Sequence, residues 1–271
     1  MKFITSILFA ATCVAGVTHA QSLSIKGSDT LGAKLVPQLA EAFKAAGSTP
    51  IKFEIAAEGS ATAFPALANG TAQLGMSSRA AKEEEHTFCR TKGVVLVEHK
   101  ICYDMLCVIL NKNSPVSKLT KDQVAKIFTG QVKDWSEVGG TPGTISIYTR
   151  NTSSGTYKDW QNLAMKGRDY PANSQKLAGT EQITQEVAKN KNGIGYVGLA
   201  YSKTAGTKAI PIDGIEPVGK NAEIYPYSRP CFIYVPEKIT AEASAFLAFI
   251  EKPEGQEIVR KVGFIPVKDL K

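Results

Sequence analysis

The sequence predicts an α/β fold. Three observations carry that reading. Apolar runs of strand length alternate with runs at helical spacing nearly from end to end. Hydroxyl-rich turns join strand to helix at Gly27-Ser28-Asp29-Thr30, Glu58-Gly59-Ser60-Ala61-Thr62 and Arg150-Asn151-Thr152-Ser153-Ser154-Gly155-Thr156. Composition is that of an ordinary globular chain, 43% hydrophobic and 21% charged, with no internal repeat or low-complexity tract.

The first twenty residues are expected to be a secretory signal peptide. Lys2 supplies the positive start, Ile4 to Val17 is mostly apolar, and Thr18-His19-Ala20 places small residues before Gln21. Cys13 follows Ala10-Ala11-Thr12, without the Leu of a lipobox, so a freely soluble exported protein of residues 21–271 is expected. That length suffices for one large domain or two lobes with separate cores.

The elements follow in order. Leu23-Ser24-Ile25 reads as a strand. Leu31, Leu35, Leu39 and Phe43 then recur at helical spacing as far as Gly47, with Pro37 expected to kink that helix or shift its start. Ile51 to Ile55 is a strand, Ala61 to Ala68 a short helix stopped by Asn69-Gly70, and Gln73 to Met76 a strand leading into Ser77-Ser78-Arg79. Lys82-Glu83-Glu84-Glu85 opens an acidic helix start. Val94 to Val97 and Met105 to Leu110 read as two buried strands. Thr120 caps a helix from Lys121 to Phe128, followed by a loop from Trp135 to Gly143. Ile145 to Tyr148 is a strand and Tyr157 to Met165 a helix, and Thr180 begins another helix through Val187. Ile194 to Val197, Ala209 to Ile212 and Cys231 to Val235 are strands, and Ala241 to Ile250 with Gln256 to Val262 are the closing helices.

The three hydroxyl turns point to an oxyanion. A strand that turns through small residues into a helix leaves backbone N–H groups unpaired at the positive end of the helix dipole. Arg150 adds a planar fork of donors, preferred here as an anion ligand over a structural ion pair because the Ser-Ser-Gly-Thr turn adjoins it. Any one turn is explained by helix capping alone. Three in one strand–turn–helix setting, with Ser77-Ser78-Arg79 as a fourth, favour convergence on one ligand. The alternative for Arg79 is a salt bridge with the nearby glutamates.

Other chemistries find little support. The net charge of +7, or +6 without Lys2, is dispersed and accompanied by no nucleic-acid motif. Gly214 to Asn221 nearly spells a P-loop, but Asn221 replaces the Ser/Thr that magnesium needs, and Pro217 breaks it. There is no G-x-S-x-G elbow. Glu83, Glu84 and His86 read as a solvated helix face, so neither metal nor cofactor is expected. Cys89, Cys102, Cys107 and Cys231 allow up to two disulfides in three connectivities, with buried free thiols the alternative for Cys107 and Cys231.

Taken together these residues resemble the periplasmic phosphate-binding proteins of ABC phosphate importers. The likeness runs from about Leu23 to Pro266. It includes Leu119-Thr120 with Ile127-Phe128-Thr129-Gly130, Trp135-Ser136-Glu137-Val138-Gly139-Gly140, Gly193-Ile194-Gly195-Tyr196-Val197, Gly255-Gln256-Glu257-Ile258-Val259 and Gly263-Phe264-Ile265-Pro266. The resemblance implies two α/β lobes, each a mixed sheet flanked by helices, with the ligand in the cleft between them. The first lobe would be 21–101 plus 229–271 and the second 102–228. It implies a non-catalytic receptor, a monomer in the periplasm, that closes on inorganic phosphate and passes it to a membrane permease. Carried over by position, the ligands are Ser28, Thr30, Leu31 through its amide, Ser60 and Ser78 from the first lobe. Arg150, Ser154, Gly155 and Thr156 come from the second. Ser78 stands where many members of that family carry an Asp that accepts a hydrogen bond from protonated phosphate. Asp29, Glu58 or Asp104 would then have to supply the acceptor, and Arg79 is a further candidate. Another oxyanion (sulfate, arsenate, molybdate), a phosphate-ester hydrolase with Ser154 as nucleophile, and a sensory or adhesion role are the alternatives.

Overall fold

The computed structural model describes residues 21–47 and 51–270, so the signal peptide expected at 1–20 lies outside the described residues. Strand β1 (Gln21–Gly27) leads into a single helical turn, α1 (Asp29–Gly32), and then α2 (Leu35–Ala46). Pro37 sits in the first turn of α2, where a missing N–H costs nothing, so it moves the helix start as expected. Leu31, Leu35 and Leu39 are fully buried along this face, and truncating one to Ala would cost roughly 2–5 kcal/mol.

Next come β2 (Ile51–Ala57), a 3₁₀ turn at Ser60–Thr62, α3 (Ala63–Ala68), β3 (Leu74–Ser77) and α4 (Glu83–Thr91). Strand β4 (Leu96–Asn111) corrects the sequence reading, because the two expected strands are one strand of 16 residues. The polar stretch between the apolar runs stays in the strand for a physical reason. Glu98 and Lys100 stay exposed on either side of half-buried His99, and Asp104 is buried against Arg229.

Beyond it lie α5 (Lys121–Phe128), a 3₁₀ turn at Trp135–Val138 within the expected loop, β5 (Ser146–Arg150) and α6 (Gly155–Leu163). Thr120 Oγ1 accepts from the Gln123 amide and Gln123 Oε1 from the Thr120 amide, a reciprocal cap for α5. Then follow β6 (Gln175–Leu177), α7 (Thr180–Lys189), β7 (Gly193–Gly198) and β8 (Thr207–Ala209). Strand β8 is shorter than expected, ending before Pro211, which has no N–H for a ladder. Strand β9 (Ser228–Pro236) and helices α8 (Ala241–Glu251) and α9 (Pro253–Val262) close the chain.

The strands form one curled mixed sheet in the order β2-β1-β3-β9-β4-β7-β5-β6, with β8 added to β4. Neighbours β1–β2, β1–β3, β5–β6 and β5–β7 are parallel, while β3–β9, β4–β9 and β4–β7 are antiparallel. Two large cores lie along it. One gathers Leu23, Leu39, Ile101, Ile233, Phe246 and Val259. The other gathers Leu106, Val108, Phe128, Trp160, Tyr196 and Tyr227. Trp160 stacks flat on Tyr196 at 4.4 Å between ring centres. Strand β4 contributes to both cores, and β9 runs beside it.

Cys89, Cys102, Cys107 and Cys231 are all buried thiols, and the described residues contain no disulfide. Cys89 and Cys107 belong to separate cores, whereas Cys102 and Cys231 lie opposite each other across β4 and β9. Burial pushes the Cys102 and Cys107 thiols well up.

Candidate functional site

Parallel pairing fixes where the turns lie. Strands β2, β1 and β3 are neighbours running in one direction, so the turns that follow them emerge at one edge. Gly27 makes the first turn possible: its φ is +133°, and a Cβ there would stand 2.1 Å from the Met76 carbonyl. Ser28 then donates its amide to that same carbonyl at 2.9 Å. Strand β5 delivers Arg150 and the start of α6 from the other half of the sheet, and these parts meet the first edge along a buried seam.

The seam is built from hydroxyls. Thr30 Oγ1 and Thr156 Oγ1 lie 2.8 Å apart, and Ser60 Oγ and Ser78 Oγ 3.3 Å apart. The Ser78 amide donates to Ser60 Oγ at 3.1 Å. Gly155 packs so tightly that a Cβ would stand 2.3 Å from Ser60 Oγ and 2.8 Å from Ser78 Oγ. The Ala61 amide donates to the Ser153 carbonyl, and Ser153 Oγ to the Glu58 carbonyl. Ser154 Oγ caps α6 by accepting from the Tyr157 amide. Ser28, Thr30, Leu31, Ser60, Ser78, Arg150, Ser154, Gly155 and Thr156 are all buried. The leading N–H groups of α1 and α6 have no partner within their own helices and lie beside these hydroxyls.

Charge along the seam is arranged in pairs. Arg150, 1% exposed, makes the ion pair that the sequence reading had set second: Nη1 lies 2.9 Å from Asp29 Oδ2. Nη1 also donates to Thr180 Oγ1 and Nη2 to the Ala178 carbonyl, while Nε is buried with no partner. Burial pulls the guanidinium pKa down and Asp29 partly restores it. Arg79 is held by Glu85 through both terminal nitrogens at 2.6 and 2.7 Å, which realises its alternative as a structural pair. The same Glu85 reaches back to the Lys82 amide at the start of α4.

The three candidate acceptors stand in different surroundings. Asp29 is committed to Arg150 and Thr180, Glu58 is exposed, and Asp104 is fully buried. Asp104 accepts from the Met105 and Leu199 amides and from Arg229 Nη2 at 3.1 Å. Burial raises its pKa, against the pull of Arg229.

Two residues escaped the sequence reading. Arg229 on β9 and Asp159 on α6 are joined at 3.2 Å, and Arg229 Nη2 donates to Thr156 Oγ1 at 2.8 Å. Burial works against the Arg229 charge, but Asp104 and Asp159 outweigh it and raise its pKa; burial likewise raises that of Asp159. Neither lies in a hydroxyl turn, and only a lone Arg in an apolar strand marked the first.

Comparison with known proteins places this geometry. Residues 14–254 match the model of the PBP superfamily domain. The phosphate-binding protein PstS of Pseudomonas aeruginosa is 32% identical, over 98% of this chain and 93% of its own length. The chain belongs to the PBP superfamily, among the phosphate-binding proteins of ABC phosphate importers. Bacillus subtilis PstS is 30% identical over 92% of this chain and 82% of its own. A putative phosphate ABC transporter substrate-binding protein from Clostridium perfringens, solved with bound phosphate, superposes with a TM-score of 0.84 at 34% identity, covering 91% of this chain and all of that one. The chain has the two-lobed α/β fold of periplasmic binding proteins, with its two large cores separate.

For a PBP-superfamily chain the seam has a defined chemical capacity. It offers hydroxyl and amide donors and an arginine with an unmet N–H, while the carboxylates of Asp29 and Asp104 are engaged by protein donors. That set suits a small oxyanion. Among the described residues no group of three or more His, Cys, Asp or Glu is arranged to hold a metal.

Proposed function

We propose that this chain is the solute-binding receptor of an ABC phosphate importer, holding inorganic phosphate between two lobes and delivering it to a membrane permease. The observation that carries this is the meeting of the turns after β1, β2 and β3 with Arg150 and the start of α6 at one buried, donor-rich seam. The lobes are residues 21–101 with 229–271, and 102–228. Phosphate is held by Ser28, Thr30, the Leu31 amide, Ser60 and Ser78 on one side and by Arg150, Ser154, Gly155 and Thr156 on the other. Closure joins the two sets about the paired strands β4 and β9, which act as the hinge. The receptor acts as a monomer in the periplasm, exported by its N-terminal segment. The phosphate bound to the Clostridium perfringens transporter protein and the similarity to the phosphate-binding PstS proteins support this reading.

We read the receptor as a binding protein, in keeping with the substrate-binding role of its relatives. Ser154 Oγ serves as a helix cap, accepting from the Tyr157 amide. Titration calorimetry with phosphate, repeated in excess sulfate, tests the proposal. Tight one-to-one phosphate binding is expected, with sulfate competing for the same donors. No phosphate heat, or tighter binding of sulfate, would overturn it.

A further inference from the structure

Arg229 is 3% exposed and stands on β9, where it runs beside β4 between the two cores. Its terminal nitrogens reach three side chains: Asp159 Oδ2 at 3.2 Å, Asp104 Oδ2 at 3.1 Å and Thr156 Oγ1 at 2.8 Å. Its Nε has no partner. The charged and titratable groups around it are Asp104 on β4, Asp159 on α6, Cys231 on its own strand and Arg150 on β5. Two carboxylates already balance the guanidinium, so the bond to Thr156 is not required for its charge.

That bond has a direction. A guanidinium has donors and no acceptor, so Thr156 Oγ1 must accept from it. The Thr156 proton is thereby turned away from Arg229, toward the side where Thr30 Oγ1 waits at 2.8 Å. A hydroxyl that accepts from a cation is also a stronger donor, because hydrogen bonds in series polarise one another.

We propose that Arg229 is a positioning residue of the anion site: it fixes and polarises the Thr156 hydroxyl so that an O–H faces the seam and donates to the bound oxyanion. Arg229 acts through Thr156 and does not itself touch the ligand. It also ties the start of α6 to the paired strands β4 and β9, so the donor is held by the hinge as well as by its own helix. The inference rests on the phosphate-receptor reading.

The test is a double-mutant cycle read by phosphate calorimetry on Arg229→Met, Thr156→Val and the pair. Arg229→Met is expected to weaken binding roughly 10- to 100-fold, the worth of one hydrogen bond to a charged group. In the Thr156→Val background the same change is expected to cost less than about twofold, since its target is gone. Arg229→Lys, which keeps a cationic donor group but not the planar fork, should recover part of the affinity lost in Arg229→Met. Should Arg229→Met fail to fold, Arg229→Lys carries the same cycle, because a single ammonium loses the planar fork by which Nη1 holds Asp159 while Nη2 donates to Thr156. Wild-type affinity in the Arg229 variant, or effects of the two substitutions that simply multiply, would overturn the proposal. A wild-type protein that gives no phosphate heat would instead remove the receptor reading itself.

Discussion

Asp29 caps a helix that begins on the other side of the seam. Its Oδ2 accepts from the Thr180 amide at 3.0 Å and from the Thr180 hydroxyl at 2.8 Å, while α7's own N-cap position is Gly179, which has no side chain to offer. The same oxygen holds Arg150. One carboxylate thus completes a helix and neutralises a buried arginine, and both partners come from the opposite half of the sheet.

Asp29→Ala should therefore do two kinds of damage. Arg150 is left buried without its counter-charge, and α7 loses its cap, so stability should fall by about 3–5 kcal/mol in urea unfolding. Phosphate binding should weaken in the same protein. Stability within about 1 kcal/mol of wild type would show that Arg150 finds another partner.

Arg150 and Arg79 should separate cleanly. Arg150→Ala is expected to weaken phosphate binding more than about 100-fold, as loss of a desolvated charge-assisted donor does. Arg79 has both terminal nitrogens on Glu85, so Arg79→Ala should lower the melting temperature while changing affinity far less. Calorimetry on both variants decides; equal small effects would rule out Arg150 as a ligand.

Gly155→Ala probes the closeness of the seam. The added methyl meets Ser60 Oγ and Ser78 Oγ well inside contact distance. The backbone there is that of an ordinary first helical residue, so the cost should fall on closure and not on folding. Phosphate should no longer raise the melting temperature, although a tight ligand at 100 times its Kd would add about 2.7 kcal/mol to the wild type. A normal phosphate-induced shift in this variant would mean that the seam opens to bind.

Burial pushes the Tyr196 phenol up to about 12, against the bonds from Thr149 and Tyr170. A raised folded-state pKa favours the neutral phenol in the native protein, so its contribution is complete below the unfolded value near 10. It is lost as pH climbs through the folded value. Urea stability should decline between pH 10 and 12 by up to about 1.4 kcal/mol per pH unit from this group. Tyr196→Phe should shallow that slope; an unchanged slope would place the titration elsewhere.

Much of this architecture was legible because it is local. The Ser-Ser-Gly-Thr turn, the Thr120 cap and the Pro37 helix start each follow from residues within a few positions of one another. The continuity of β4 was hidden, because polar Glu98 to Asp104 looks like a loop until Asp104 is seen opposite Arg229. Likewise the pairing of Asp29 with Thr180 joins residues 151 positions apart, and no spacing rule encodes it. The turns announced which donors exist, and only the sheet order decided which of them meet.

The interlacing of the two cores also has a consequence for synthesis. The core that begins at Leu23 draws on Ile233, Phe246 and Val259, and β3 pairs on its far side with β9. The N-terminal strands therefore cannot complete this core until the last stretch of chain has been made. A chain so wired completes its first core late, after the second core has all but its last contributor.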